Sequence, residues 1–377
     1  MSFWNKFKSF LYAYAMLTGT IIGVGIFSLP YITSQVGLGI MAAYFIGLGV
    51  VALLIHIFWG LVAVKTPGQH RLPGLVRIYL GKIWGRIASV TAIGSLLGAI
   101  LAYVILGSQF MQTLLSGYFP AGGQGVHVVA YCLLGALLVL AGGKIIARLE
   151  VGGVMALILT LAVLVWRSSG HWQGENLWAI KAQPQNFFLP YGMVLFSLWG
   201  ASAIPEVKDI LGRNKKRLNK VIGLSILTAL IFYLVFIGCI LGVMGQSVDP
   251  TALGGLSGVF GQTMGTLLII LGIIAIFTSY ITLTLALNKI LVYDLKIRPT
   301  LALGVVTSVP MILYFLGVNN FITIISFVGS VMLAIDGIFI AAVYWRSSQA
   351  RGVKSLIMML LIACLVAGII YEFYKIL

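Results

Sequence analysis

Residues 19–31 read GTIIGVGIFSLPY, inside an apolar stretch that opens near Phe10. The stretch is long and apolar enough to cross a membrane, yet Gly19, Gly23 and Gly25 crowd together and Pro30 follows. Each glycine in a helix interior costs about 1 kcal/mol relative to alanine. Three so close predict a local break. Irregular backbone at membrane depth survives only where it is buried in protein or lines a cavity. A break leaves free carbonyls on one half-helix and free N–H groups on the other. Carbonyls accept from ammonium groups and coordinate cations, and a half-helix N-terminus attracts carboxylate. Pro30 fits the first turn of a resumed helix, which has no N–H to lose. A second reading stays open: Gly19 and Gly23 form GxxxG, which lets helices pack closely.

Composition sets the surroundings of this stretch. The chain of 377 residues is 60% hydrophobic and only 8% charged, with a mean hydropathy of +1.09. A soluble domain carries about 25% charged residues, so water is not the solvent here. A spanning helix needs roughly 20 apolar residues. Eleven spans fit, at about 10–35, 39–63, 86–116, 126–142, 149–166, 187–207, 220–244, 258–290, 299–316, 320–344 and 354–374. With the N-terminus inside, 21 of the 24 Lys and Arg fall on the cytoplasmic side, and Arg167, Lys181 and Lys375 do not. The positive-inside rule predicts that asymmetry. It places the N-terminus in the cytoplasm and the C-terminus outside, in a multi-pass plasma-membrane protein. The charge of +16 is therefore a topology signal, with anionic lipid as its nearest partner. No basic segment is interleaved with stacking aromatics, which argues against nucleic acid. The first span is too long for a signal peptide. Cys132, Cys239 and Cys364 lie singly in three spans, so neither a zinc site nor a disulfide is indicated. After Pro73, the loop at 65–87 has the pattern of a short interfacial helix, with Tyr79 and Trp84 at headgroup level.

The break recurs. FSLWGASAIPEV, residues 196–207 in the sixth span, again puts small residues at mid-span with a proline several residues on. Spans one and six open two groups of five, residues 10–166 and 187–345. An offset of five reverses orientation, so the groups are inverted repeats and 354–374 is an extra helix. Paired Gly/Pro-interrupted spans at matching positions of two halves point to a transporter binding site. Two facing breaks present both polarities, which suits a zwitterion. Neither break holds an Asp, Glu, Lys or Arg, which favours a neutral amino acid.

GTIIGVGIFSLPY resembles the first-span signature of the amino acid/auxin permeases and of the bacterial hydroxy and aromatic amino acid permeases. Both belong to the amino acid–polyamine–organocation superfamily. LLGAILAYVILGSQFMQTLL (96–115), SLWGASAIPEV (197–207) and AIFTSYITLTLALNKIL (275–291) are similar to the third, sixth and eighth spans of those families. The resemblance implies an all-α polytopic protein with the five-plus-five inverted repeat of LeuT-type transporters, helices one and six broken, and secondary uptake of amino acids. It implies substrate contacts from Thr20, Ile21, Gly23, Val24 and Gly25, and from Ser197, Leu198, Trp199 and Gly200. The N–H groups near Gly23 and Gly25 would hold the carboxylate, and carbonyls near Ser197 to Trp199 would accept from the ammonium. Tyr103 would add a hydroxyl to the carboxylate or serve in packing. Trp199 would line the side-chain pocket or simply pack.

Coupling is read from the same resemblance. In sodium-coupled LeuT-type carriers the AxxTS pattern, here Ala275, Thr278 and Ser279, supplies three oxygens to one Na⁺. First-span carbonyls at the positions of Gly19 and Ile22 supply two more. The hydroxyls could instead bond back to the preceding turn. Ile26 replaces the polar residue of a second sodium site, so none is expected. Some relatives replace sodium with a span-five lysine, and residues 151–166 contain none. The aromatic permeases are regarded as proton symporters, which leaves Na⁺ and H⁺ both open. Asp336, in span ten, reads as the one deeply placed acid. It carries the proton or bonds a neighbouring helix. Glu206 reads as a member of an inner-gate salt bridge, and His56 as a packed neutral imidazole. No cofactor is expected beyond the coupling ion.

The sequence lacks HExxH, G-x-S-x-G and GxGxxG, so an enzyme is not expected. An amino-acid sensor of the same fold, which binds without transport, is the alternative to a carrier.

Overall fold

The computed structural model describes residues 3–116, 123–178, 180, 186–253, 255–348 and 352–376, and these are helical almost throughout. Lys181 and Arg351, used above for topology, lie outside the described residues. The first span consists of α1 (Phe3–Ile22), a 3-10 turn over Val24–Ser28, and α2 (Leu29–Val36). Then come α3 (Leu38–Lys65), the short α4 (Leu72–Leu80), α5 (Lys82–Leu115), α6 (Gln124–Leu140) and α7 (Gly143–Ser168). After α8 (Glu175–Trp178), the sixth span is α9 (Pro190–Ser197), a 3-10 turn over Ala201–Ala203, and α10 (Ile204–Leu211). There follow α11 (Lys215–Met244), α12 (Leu256–Phe260), α13 (Gln262–Lys289) and α14 (Pro299–Phe315). The chain ends with α15 (Phe321–Phe327), a π-helical turn over Val328–Leu333, α16 (Ala334–Ser348) and α17 (Val353–Ile376).

Among the described residues, eight helical stretches are long and apolar enough to cross a membrane, and α6 and α14 are shorter apolar helices. The two halves of the sixth span are eight residues each. Neither half could cross alone, since about 20 residues are needed. Polar signals set the ends. Asn214 and Asn320 cap α11 and α15 by accepting from the N–H groups of Arg217 (3.1 Å) and Thr323 (2.9 Å). Pro30, Pro190 and Pro205 each stand in the first turn of a helix, where the missing N–H costs nothing.

Burial sorts the helices. The broken first span, α5 and the α15–α16 stretch are mostly inside, whereas α3, α7 and α17 turn most of their surface outward. The outward faces carry bare apolar side chains such as Ile46, Ile158 and Leu360, a surface suited to lipid tails. The helix expected after Pro73 is α4. It buries Leu72, Leu75 and Val76, and the Tyr79 hydroxyl meets that of Thr66 at 2.9 Å. It is therefore docked on the bundle, while Trp84 at the start of α5 stays half exposed.

Candidate functional site

The two breaks fall at the expected glycines and touch each other. Gly23 has φ +23° and ψ −155°, a conformation reserved in practice for glycine. Its N–H closes the last bond of α1 on the Gly19 carbonyl (3.0 Å). The chain then resumes as the 3-10 turn, whose first N–H groups have no helical acceptor behind them. A methyl group at Gly23 would lie 1.9 Å from the Tyr103 hydroxyl. One at Gly25 would lie 2.4 Å from Ser197 Oγ, and one at Gly200 2.5 Å from Ile21 Cγ1. Glycine at 25 and 200 is what allows the two broken helices to meet, and glycine at 23 is what admits Tyr103.

Neighbouring helices fix the freed backbone groups. The Tyr233 hydroxyl of α11 stands between Ile21 O (2.8 Å) and Ser197 O (2.5 Å), one carbonyl from each break. It has one hydrogen, so it donates to one of them at a time. From α3, Trp59 Nε1 donates to Ala201 O (2.9 Å), and His56 Nε2 accepts from the Gly200 N–H (2.8 Å). That leaves the ring proton on Nδ1, facing Ala52 O at 2.5 Å. His56 is thus a packed neutral imidazole, and it also holds the sixth-span break open. His56→Leu leaves the Gly200 N–H buried without an acceptor, at a cost of about 1–3 kcal/mol. The expected result is a lower melting temperature in detergent, which His56→Gln restores in part.

A cavity of about 780 Å³, counting its open mouth, runs from the breaks toward one face of the protein. Thr20, Ile21, Gly23, Gly25, Tyr103 and Trp199, six of the ten residues read as substrate contacts, line it. Four expected contacts do not. Val24 and Leu198 are wholly buried in the core. Ser197 Oγ donates back to Met193 O (2.7 Å), and Ser197 O shares the Tyr233 hydroxyl with Ile21 O. Gly200 presents its N–H to His56. Phe196, Ala201 and Ser202 line the cavity in their place. On α5 the sequence reading stopped at Tyr103, but Ala99 and Ser95 also line it. Steps of four residues back along a helix face would have found both. Beyond the breaks, on the side away from the mouth, Phe27 closes against Phe110 and Phe236, with ring centroids 5.3 and 6.0 Å apart.

Of the residues read as ion ligands, Gly19 and Ser279 meet across α1 and α13, whereas Thr278 bonds back within its own helix. Ser279 Oγ donates to Gly19 O (2.8 Å), and Thr278 Oγ1 donates to Ala275 O (3.1 Å). Ile22, the fifth, ends α1 three residues beyond Gly19. The set is not free of carboxylate, and Asp336 is not the one deep acid. Glu150 of α7 is wholly buried. Its Oε1 accepts from Thr282 Oγ1 (2.5 Å), and its Oε2 lies 2.5 Å from where a Gly19 methyl would stand. Oε2 has no hydrogen-bond partner among the described residues. The sequence hid Glu150 because it sits at the edge of span five beside Arg148, where it reads as a boundary charge. Asp336 lines the cavity and accepts from Thr91 Oγ1 (2.9 Å) and Ser95 Oγ (2.7 Å), both on α5. It therefore bonds a neighbouring helix.

At the mouth, Glu206 Oε1 of α10 accepts from Arg71 Nη2 (2.7 Å) and Lys289 Nζ (3.0 Å). Asp294 accepts from the Gly74 N–H (3.0 Å), tying α4 to the turn after α13. The salt bridge expected of Glu206 is present, and it joins α10 and α13 to the residue before α4.

The architecture has solved counterparts. The crystal structure of MhsT in complex with L-phenylalanine superposes with a TM-score of 0.71 at 15% identity, over 97% of this chain and 98% of that one. A manganese transporter from Eremococcus coleocola, solved with an aromatic bis-isothiourea substituted compound, gives 0.65 at 15% identity, over 100% and 96%. Both likenesses bear on the fold, which is LeuT-like. Curated proteins give no match. The model of the tryptophan/tyrosine permease family matches residues 6–371. That match spans nearly the whole chain, which is a membrane transporter rather than an enzyme and belongs to the tryptophan/tyrosine permease family.

Proposed function

We propose that the protein is a symporter that imports a neutral, aromatic amino acid across the plasma membrane, driven by a Na⁺ or H⁺ gradient. The observation that carries this reading is the contact between the two breaks over a cavity with apolar and aromatic walls. Amide groups after Gly23 receive the carboxylate, with the Tyr103 hydroxyl beside them. Ile21 O, which shares the single Tyr233 hydrogen with Ser197 O and keeps a second lone pair, receives the ammonium group, and Trp199 and Phe196 flank the ring. The N-terminus is cytoplasmic and the C-terminus extracellular, which puts the cavity mouth and the Arg71–Glu206–Lys289 cluster on the inner face. The phenylalanine bound by MhsT and the family's name favour an aromatic substrate.

Glu150 carries the coupling in this reading. A buried carboxylate with no cationic partner is costly, and no Lys or Arg pairs with it among the described residues. It therefore takes up a proton or, with Gly19, Ile22, Ala275, Thr278 and Ser279, a cation. The test is uptake of labelled tryptophan into proteoliposomes under a Na⁺ gradient, a pH gradient, or neither. Gradient-dependent accumulation is expected, and binding without uptake would favour the sensor. Glu150→Gln should abolish accumulation at least tenfold while sparing exchange of internal for external substrate. Thr278→Ala should do the same only if Na⁺ is the coupling ion. Unchanged accumulation by Glu150→Gln would remove Glu150 from the mechanism.

A further inference from the structure

On α5, Thr91, Ser95, Ala99 and Tyr103 recur every four residues and so share one helix face. At about 1.5 Å of rise per residue, Ser95 stands about 12 Å along the axis from Tyr103. The cavity follows this face. At one end are Gly23 and Tyr103, beside the broken backbone. Between the ends, Ala92 and Ala99 offer methyl groups only, while Leu96, Trp199 and Leu333 wall the space. At the other end is the Asp336 carboxylate, held by hydrogen bonds from Thr91 and Ser95.

Asp336 is 5% exposed, with no Lys or Arg paired to it among the described residues. Two hydrogen bonds occupy two of about four acceptor positions on a carboxylate. The remaining lone pairs belong to a group that lines the cavity. A buried acceptor left unfilled is expensive, so a site built this way rejects ligands that bring no donor.

We infer that Asp336 determines side-chain specificity by accepting a hydrogen bond from a polar donor on the substrate's ring. The inference rests on the aromatic-substrate reading and sharpens it. Tryptophan and tyrosine differ in ring size but share a donor at the ring edge, the indole N–H or the phenol O–H. Phenylalanine is aromatic and has no such donor. With the zwitterion at the breaks and the ring over Ala99, the donor comes to Asp336 and Ser95. The slot of small residues accepts either ring, and the carboxylate rejects a bare one. Asp336 thus does more than tie α16 to α5.

The test is binding to purified protein in detergent, measured calorimetrically at one pH and one salt concentration. The ligands are tryptophan, tyrosine, phenylalanine and 3-(3-benzothienyl)alanine, in which sulfur replaces the indole N–H at nearly constant shape. Wild type should bind tryptophan and tyrosine at least about tenfold more tightly than phenylalanine, and tryptophan at least about tenfold more tightly than its sulfur analogue. Asp336→Ala should lower the affinity for tryptophan much more than that for phenylalanine, bringing their ratio near one. A helix-tying role alone would weaken all four ligands alike. The sulfur analogue needs no variant, so the proposal stays testable if Asp336→Ala misfolds. Equal wild-type affinity for tryptophan and the analogue overturns the role of Asp336 and leaves the aromatic reading standing. Failure of every aromatic amino acid to bind overturns both.

Discussion

Gly23→Ala should abolish tryptophan binding. At φ +23° an alanine is strained by about 1–3 kcal/mol. Its methyl would stand 1.9 Å from the Tyr103 hydroxyl and 3.1 Å from Tyr103 Cζ. Tyr103 is almost wholly buried, so it moves only at a cost, and overpacking of this kind costs about 1–3 kcal/mol more. The variant escapes by refolding the break or by displacing Tyr103, and either change destroys the carboxylate end of the site. The expected loss is at least about 30-fold in affinity, read by calorimetric titration with tryptophan. Adding Tyr103→Phe removes the closer of the two clashes and should recover part of the loss. Binding by Gly23→Ala within threefold of wild type would mean that this backbone conformation is not needed.

The second large effect belongs to Glu206. It is 6% exposed and faces two cations, of which Arg71 is 3% exposed. Removing one partner of a buried ion pair costs about 3–5 kcal/mol, because the other charge stays buried. Glu206→Ala leaves both Arg71 and Lys289 unmatched. Arg71 Nε and Nη1 already lack hydrogen-bond partners among the described residues, so the guanidinium would be left with its place over the Tyr293 ring, 5.7 Å from the centroid. Arg71→Ala leaves Lys289 on Glu206 and should cost less. Lys289→Ala, at the more exposed partner, should cost least. Thermal unfolding in detergent reads the order. Equal, small shifts for all three would show that these buried ion pairs do not hold α10 and α13 together.

The broken helices were legible because glycine and proline act locally. Gly23 and Gly25, then Gly200 and Pro205, mark the breaks whatever surrounds them. Four of the five first-span residues read as contacts line the cavity because the break places their backbone there. The second-break contacts were harder to foresee. The resemblance gives Ser197 and Gly200 to the substrate, but Tyr233 and His56 meet Ser197 O and the Gly200 N–H from helices far away in sequence. No local pattern announces such a partner. Glu150 was missed for a related reason. Its neighbours in sequence are basic and belong to a loop boundary, while its neighbours in space, Gly19 and Thr282, belong to two other helices. Asp336 stood out as an acid in an apolar span. Its attachment to Thr91 and Ser95 depends on how α16 packs against α5.

The central claim is that the free backbone groups of two touching breaks bind both ends of a zwitterion. Calorimetric titration of the purified protein with tryptophan, tryptamine and indole-3-propionate tests it most directly. Tryptamine lacks the carboxylate and indole-3-propionate lacks the ammonium group, while both keep the ring. Each lost charge-assisted contact removes about 1.5–3 kcal/mol, so both analogues should bind at least about tenfold more weakly than tryptophan. Binding of either analogue as tightly as tryptophan would contradict the account.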